Sequence, residues 1–516
     1  MTDPRGPSVE SGSGTPAGVP VVLTADRSLM ADYAMLFDAM VAGSQTSRIP
    51  YWVTRLLFAP SGRTRAGRAD RAPLGLRRIE SALLRDGWGE EAVAVVTPAA
   101  LERSLGPETR VIGLSCGDPL GRGMNSTTMT AFTGGVSEPS RSFRAFMRRL
   151  ARLRRRAPRA KVVAGGPGAW QLAADAGARE AAGVDHVVLG YCEGNVAELF
   201  RRVAGGERPA AVLDGRGVAA ADIPPIRRPA LLGAAEVSRG CGMGCGFCAL
   251  GRAPMEHLPA DTVLSDLETN LAGGARSLSL STEDLFRYGA RGMSVRPEAL
   301  LGLLQAVRRV AGDVLVQADH ANVASVSQLS DGELAEVFRL LVGKGRPDSF
   351  VWLNVGVETA SGPLLAAAGG RAKMAGCAPE DWGEFCREQV ARLCRLGFLP
   401  LVSLMLGLPG ESRDDVAASL GWVRRLSDAR VSVFPLLYAP LDGREAFGPG
   451  AMTPLHWQLI RECYRLNFRW IPALIRENQR RAGVPAWRRL AVGQLSKVQR
   501  MIWGTGFFLR ARGHDA

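Results

Sequence analysis

Three cysteines fall within eight residues, Cys241, Cys245 and Cys248, spaced C-x3-C-x2-C, with glycine at 240, 242, 244 and 246. Thiolates hold iron–sulfur clusters, and a four-iron cubane takes one ligand per iron. Three thiolates on one short loop can hold three corners and leave the fourth iron open to a small molecule. Glycine suits such a loop because it adopts backbone angles other residues avoid and lets the chain wrap closely. A structural zinc site would need a second ligand pair at a fixed distance. The nearest candidate, His257, lies nine residues beyond Cys248 and does not match that pairing. A disulfide scaffold belongs to short secreted chains, whereas this one is long and nothing in it reads as a secretory leader.

The loop must be positioned by something large. At 516 residues the chain exceeds one ordinary core, and two or three domains are expected. With 46% hydrophobic residues it reads as globular, and its nine cysteines without a leader point to a reducing cytoplasm. No apolar run is long enough to span a membrane. The net charge of +14 comes mostly from scattered arginine, dense at Arg148–Arg159 and Arg476–Arg489. In the first patch Phe143, Phe146, Met147, Leu150 and Leu153 share one helical face and Arg144, Arg148, Arg152 and Arg155 the other, the pattern of a solvated helix. Neither patch carries an array of stacking aromatics or a nucleic-acid motif, so nucleic acid is not the expected partner.

Residues 1–19 are Gly-, Ser- and Pro-rich and read as a disordered tail. From 20 to 222, strands expected at Val21–Thr24, Ala92–Val96, Arg110–Ser115, Lys161–Ala164 and His186–Leu189 alternate with helices such as Leu74–Asp86, Ser140–Arg156 and Val196–Val203. Alternation of this kind implies a parallel sheet covered on both faces, a doubly wound α/β fold whose ligand lies beyond the carboxyl ends of the strands. Glycine-rich turns follow three of those strands: Cys116–Gly121, Gly165–Gly168 and Gly190–Gly194. Residues 223–231 hold three prolines and form a linker. From 232 to 444 the alternation resumes, with strands at Leu232–Ser238, Ser277–Ser281, Val314–Ala318, Trp352–Val357, Leu401–Gly407 and Val431–Leu437. Residues 445–516 read as helical, with Trp457, Trp470, Trp487 and Trp503, and are expected to form a C-terminal cap over the mouth of this second body.

The cysteine spacing, with Phe247 just before the last thiol and a strand before the first, resembles the radical S-adenosylmethionine (SAM) superfamily. The glycine-rich sheet ahead of it resembles the cobalamin-binding domain of the cobalamin-dependent branch. The resemblance implies a flavodoxin-like cobalamin-binding domain, a partial (β/α)6 barrel, and a 4Fe-4S cluster on Cys241, Cys245 and Cys248. In that family the open iron is chelated by SAM, which is usually cleaved to a radical that abstracts hydrogen from a substrate. By the same resemblance Phe247, Glu283, Glu358, Ser361 and Gly407 would contact SAM, with Asp284 a rival to Glu283. Asp118, Gly165, Gly166, Gly190 and Gly194 would contact cobalamin. The D-x-H-x-x-G motif is absent, and His186 reads as a core residue, so no histidine of this domain is expected to ligate cobalt. The implied activity is methylation of an unactivated carbon of a small-molecule or natural-product intermediate, with an external donor such as flavodoxin or ferredoxin. The alternatives are a radical rearrangement or cyclisation without methyl transfer, and modification of RNA or tRNA.

Overall fold

The computed structural model describes residues 17–248, 250–344, 349–440 and 445–512. Most of the expected tail therefore lies outside the described residues. Ala17–Val19 do not behave as a tail, because Glu108 N donates to the Ala17 carbonyl and Val19 N to that of Ser104.

The N-terminal sheet has six strands: β1 Val21–Ala25, β2 Val93–Val95, β3 Val111–Ser115, β4 Lys161–Gly165, β5 His186–Leu189 and β6 Val212–Asp214. Every pairing is parallel, in the order β2-β1-β3-β4-β5-β6. This is the flavodoxin-like order with one strand added at the edge, and it reverses direction between β1 and β3. Val21–Ala25 is apolar but for Thr24 and buried throughout, as a strand covered on both faces requires. Helices α1 (Leu74–Arg85) and α2 (Glu138–Leu153) cover opposite faces, and α2 buries Phe143, Phe146, Met147 and Leu150 as its period predicts. The added β6 carries only half-buried and exposed residues, which is why no apolar run announces it.

The second α/β body holds β7 Ala234–Glu236, β8 Ser277–Ser281, β9 Leu315–Ala318, β10 His320–Ala321, β11 Val351–Glu358, β12 Phe398–Leu406 and β13 Ser432–Leu437. They form two parallel runs, β9-β8-β7 and β10-β11-β12-β13; the third expected strand is present as β9, and the two-residue β10 follows it across Asp319. The first is shorter than expected, because Leu231–Gly233 form a 3-10 turn with Leu232 at φ 64°. Its helices include α3 (Ala260–Ala272), α4 (Gly362–Ala367) and the capped helices 331–342 and 413–425.

Two long helices follow, α5 (Pro454–Arg481) and α6 (Ala486–Ala511). The first runs along the edge of the barrel, and its His456 reaches Glu411 in the turn after β12. The Asn467 amide on α5 accepts from Val433 N at 2.8 Å and donates to the Val433 carbonyl at 2.7 Å, so α5 covers the edge strand β13. Tyr464 and Phe507 pack on Phe132 from the N-terminal body. Trp457 is buried in this core, whereas Trp487 is exposed. No described helix is long and apolar enough to cross a membrane.

The two bodies are tied at their interface. Arg78 on α1 pairs with Asp266 on α3, both buried, and donates to the Pro224 carbonyl of the linker at 2.7 Å. Gln317 on β9 accepts from Leu36 N, and the Ser277 hydroxyl donates to the Ala34 carbonyl. The residues after β1 and β3 and those at the ends of β8 and β9 line one shared cavity.

Candidate active site

The cysteine loop leaves a short antiparallel pair, Ser238–Arg239 with Glu256–His257, and returns to it. Gly240, Gly242 and Gly244 all have φ near +70°, angles that make the glycines necessary here. Cys241 N donates to the Ala253 carbonyl, Gly244 N to that of Gly251 and Gly246 N to that of Ala368. Arg287 donates to the Cys241 carbonyl at 2.8 Å. The backbone is thus held from three sides.

Burial pushes the Cys245 thiol up to about 11, with Lys373 pulling it down and Glu358, Cys241 and Cys248 pushing further. The three thiols therefore share one electrostatic neighbourhood. Among the described residues no group of three or more His, Cys, Asp or Glu side chains could hold a single metal ion. A cubane spreads its thiolates over separate irons, so three soft sulfur donors on a loop fit that group.

The barrel strand ends converge on this loop. Glu358 ends β11 at φ +68°, a left-handed conformation that costs about 1–3 kcal/mol in a residue with a side chain. It forms a buried ion pair with Lys373 and accepts from the Ser403 hydroxyl at 3.2 Å. A Cβ on Gly356 would collide with both charged groups, so that glycine makes room for the pair. Burial works against the Lys373 charge, yet Glu358 and then Cys245 keep its pKa raised. Lys373 has no counterpart in the sequence-based site; its one signal is its place in a glycine-rich stretch, Gly369–Gly376.

Ser361 caps α4, accepting from Leu364 N at 3.3 Å. Gly407 N donates to the Glu411 carboxylate, itself 3.1 Å from His456. Gly407 is required because any Cβ would strike the Phe447 ring. Phe247 packs on the cluster of Leu364, Met405 and Leu408, beside the ends of β11 and β12. Of the two acids after β8, Asp284 is fully buried and accepts from the Ser325 hydroxyl at 2.9 Å. Glu283 stays half-open; burial raises its pKa, and its charged neighbours are His320 and Asp319.

A cavity of ≈ 380 Å³ lies between the two bodies. Asp26, Ser28, Leu29, Gly117 and Asp118 line it at the β1/β3 switch point, and Leu231, Leu232, Leu280, Ser281 and Asp319 face them from the barrel. Its size suits a ligand site, and its place is where open parallel sheets bind ligands. Asp118 accepts from Gly123 N and the Gln171 amide, which fixes its loop. The candidate glycines divide. A Cβ on Gly166 would sit 2.9 Å from the Ser115 hydroxyl, and one on Gly194 2.9 Å from the Arg216 carbonyl, so the chain's own packing demands both. Gly165 meets only the Val188 carbonyl at 3.8 Å, and Gly190, at φ +82°, faces open space. His186 is buried, its Nδ1 3.0 Å from the Ala210 carbonyl.

The radical SAM methyltransferase TsrM from Kitasatospora setae, solved with cobalamin and a 4Fe-4S cluster bound, matches 82% of this chain and 77% of its own at a TM-score of 0.52 and 17% identity. The same enzyme solved with tryptophan substrate and the SAM analogue aza-SAM gives a TM-score of 0.53. The chain shares the fold of that enzyme. The resemblance drawn from the cysteine loop and the glycine-rich sheet is borne out at that level. Among curated sequences, the ribosomal protein uS12 methylthiotransferase RimO from Geobacter sulfurreducens is 27% identical over 245 residues, 46% of this chain and 48% of its own. A probable threonylcarbamoyladenosine tRNA methylthiotransferase from Methanothermobacter thermautotrophicus is 23% identical over 146 residues, 28% of this chain and 32% of its own. The chain spans about half the length, or less, of these relatives. No protein-family model matches it.

Proposed function

We propose that this chain is a cobalamin-dependent radical SAM methyltransferase acting on a small-molecule substrate. One observation carries the reading: the cavity at the switch point of a flavodoxin-like sheet opens onto the strand ends of a partial barrel that also bears the cysteine loop. When bound, the cluster and SAM supply radical and methyl chemistry, and cobalamin supplies a methyl carrier; such cofactors carry the hard step. Cys241, Cys245 and Cys248 would hold the cluster. Gly190 leaves backbone open to a flat ligand, and the cavity at the ends of β1 and β3 of the same sheet is walled from both bodies. Glu358 and Lys373 present a fixed, opposed pair of charges beside the cluster loop, suited to the carboxylate and amino groups of SAM, while Glu283 offers a second carboxylate to the amino group. His320 and Asp319, where β10 follows β9, would face the substrate. An acidic electron donor of the flavodoxin or ferredoxin kind matches the chain's basic surface.

Anaerobic reconstitution followed by hydroxocobalamin tests the reading. A co-purifying cobalamin spectrum is expected, and its absence from cluster-loaded protein would end the proposal. SAM deuterated on its methyl group then separates methyl transfer from a rearrangement. Tryptophan, held by the structural neighbour, is the first substrate to assay, and tRNA and uS12 protein are the macromolecular comparisons named by the sequence relatives.

A further inference from the structure

Arg239 stands two residues before Cys241 and is almost fully buried. Its Nη2 donates to Glu193 Oε1 at 2.6 Å and to Glu236 Oε2 at 2.9 Å, and its Nε donates to Glu236 Oε1 at 2.8 Å. The Tyr191 ring stacks on the guanidinium, 3.8 Å from its carbon. Glu236 ends the first barrel strand, but Tyr191 and Glu193 belong to the turn after β5 of the N-terminal sheet. The turn read from sequence as a ligand contact therefore reaches across and grips the strand that delivers the first cluster cysteine.

Burial disfavours the Arg239 charge, but the bonds to Glu236 and Glu193 outweigh it and its pKa is raised. Arginine stays charged, and its planar fork meets two carboxylates with fixed geometry, which lysine cannot reproduce. Buried ion pairs are no better for stability than well-packed apolar side chains, so their value lies in fixing one arrangement. Two further details point beyond a static clamp. Glu193 Oε2 is buried with no hydrogen-bond partner, an acceptor awaiting a donor. On the same turn Gly190 faces open space. A carboxamide-rimmed ligand on this turn brings N–H donors to that neighbourhood.

We propose that Arg239 is a positioning residue, clamped by Glu193 and Tyr191, which couples occupancy of the cobalamin site to occupancy of the cluster site. The inference rests on the proposed function above. Coupling between sites is reciprocal and commonly amounts to a 5–150-fold change in affinity.

The test titrates hydroxocobalamin by absorbance into the full chain with and without its reconstituted cluster. The wild type is expected to bind at least about fivefold more tightly when the cluster is present. In Glu193→Gln and Arg239→Lys the difference should fall below about twofold, with iron content unchanged and the EPR signal of the reduced cluster no longer shifted by hydroxocobalamin. Tyr191→Leu leaves every charge paired and should weaken the coupling in protein that folds even where the other two do not. Glu384→Gln, on an exposed pair with Arg387, should leave it intact. Equal affinities in the two wild-type states, or full coupling in Glu193→Gln, overturns the inference while the proposed function stands. No binding by cluster-loaded wild type removes both.

Discussion

A Cβ placed on Gly166, after β4, would sit 2.9 Å from the Ser115 hydroxyl and 3.0 Å from the Cys116 carbonyl, whereas one on Gly356, near the end of β11, would strike the Glu358 carboxylate and the Lys373 ammonium. The first glycine lets backbone meet neighbouring backbone. The second makes room for buried charge. The contrast extends to the two α/β bodies. The N-terminal strand ends carry glycine turns held by bonded loops, with Gly165 and Gly190 as the open positions. The barrel ends carry Glu283, Asp319, His320, Glu358 and Lys373 within reach of one another. A glycine at a strand end thus reports packing in one body and buried charge in the other, and what fills its missing side-chain volume tells which.

Breaking the barrel end should cost most. Lys373→Met strands a buried Glu358, and loss of about 3–5 kcal/mol is expected in chemical denaturation. Adding Glu358→Gln should recover much of it, because partners in direct contact are not additive. Lys373→Met alone should lower the cluster midpoint potential, since a cation beside Cys245 and Cys241 is gone. Next, Gly166→Ala introduces a side chain at φ +92° against fixed backbone, with an expected loss of about 1–3 kcal/mol. Hydroxocobalamin affinity of the folded protein should be unchanged. Gly190→Ala inverts that result. Its methyl meets nothing in the chain, so the cost is roughly 1–2 kcal/mol from the left-handed backbone alone. Hydroxocobalamin should bind more weakly, because the added group enters the space assigned to it. If both variants lose affinity equally, the distinction between packing glycines and ligand glycines collapses.

Much of this was legible in the sequence. The cysteine loop has a spacing that only chemistry explains, and strands such as His186–Leu189 and Ser277–Ser281 lie within a residue of their expected limits because buried parallel strands are unbroken apolar runs. What escaped has a physical reason in each case. Lys373 lies fifteen positions after Glu358 on a short 3-10 turn, where no periodicity reports burial. The Glu193–Arg239 contact joins residues on separate bodies, and a single sequence carries no mark of such a pairing. The two-residue strand His320–Ala321 beyond Asp319 is too short to leave a pattern.

The smallest expected effect lies at that short strand. His320 Nδ1 is 3.2 Å from the Asp319 carboxylate, and Asn354 donates to the same oxygen. Burial works against the imidazolium, but Asp319, then Glu283 from the end of β8 and Glu358 from the end of β11, override it and push the pKa up to about 9. The folded value exceeds the unfolded one, so the stabilisation is complete below about 6.5 and is lost as pH rises through 9. The side chain remains 42% exposed, and solvent screening keeps the effect modest. The midpoint of thermal unfolding of the wild type should therefore fall relative to His320→Gln between pH 6.5 and 9.5 and run parallel to it below that window. Parallel curves throughout would mean that the barrel-end charges do not sense one another, and the barrel ends would then differ from those of the N-terminal sheet in composition alone.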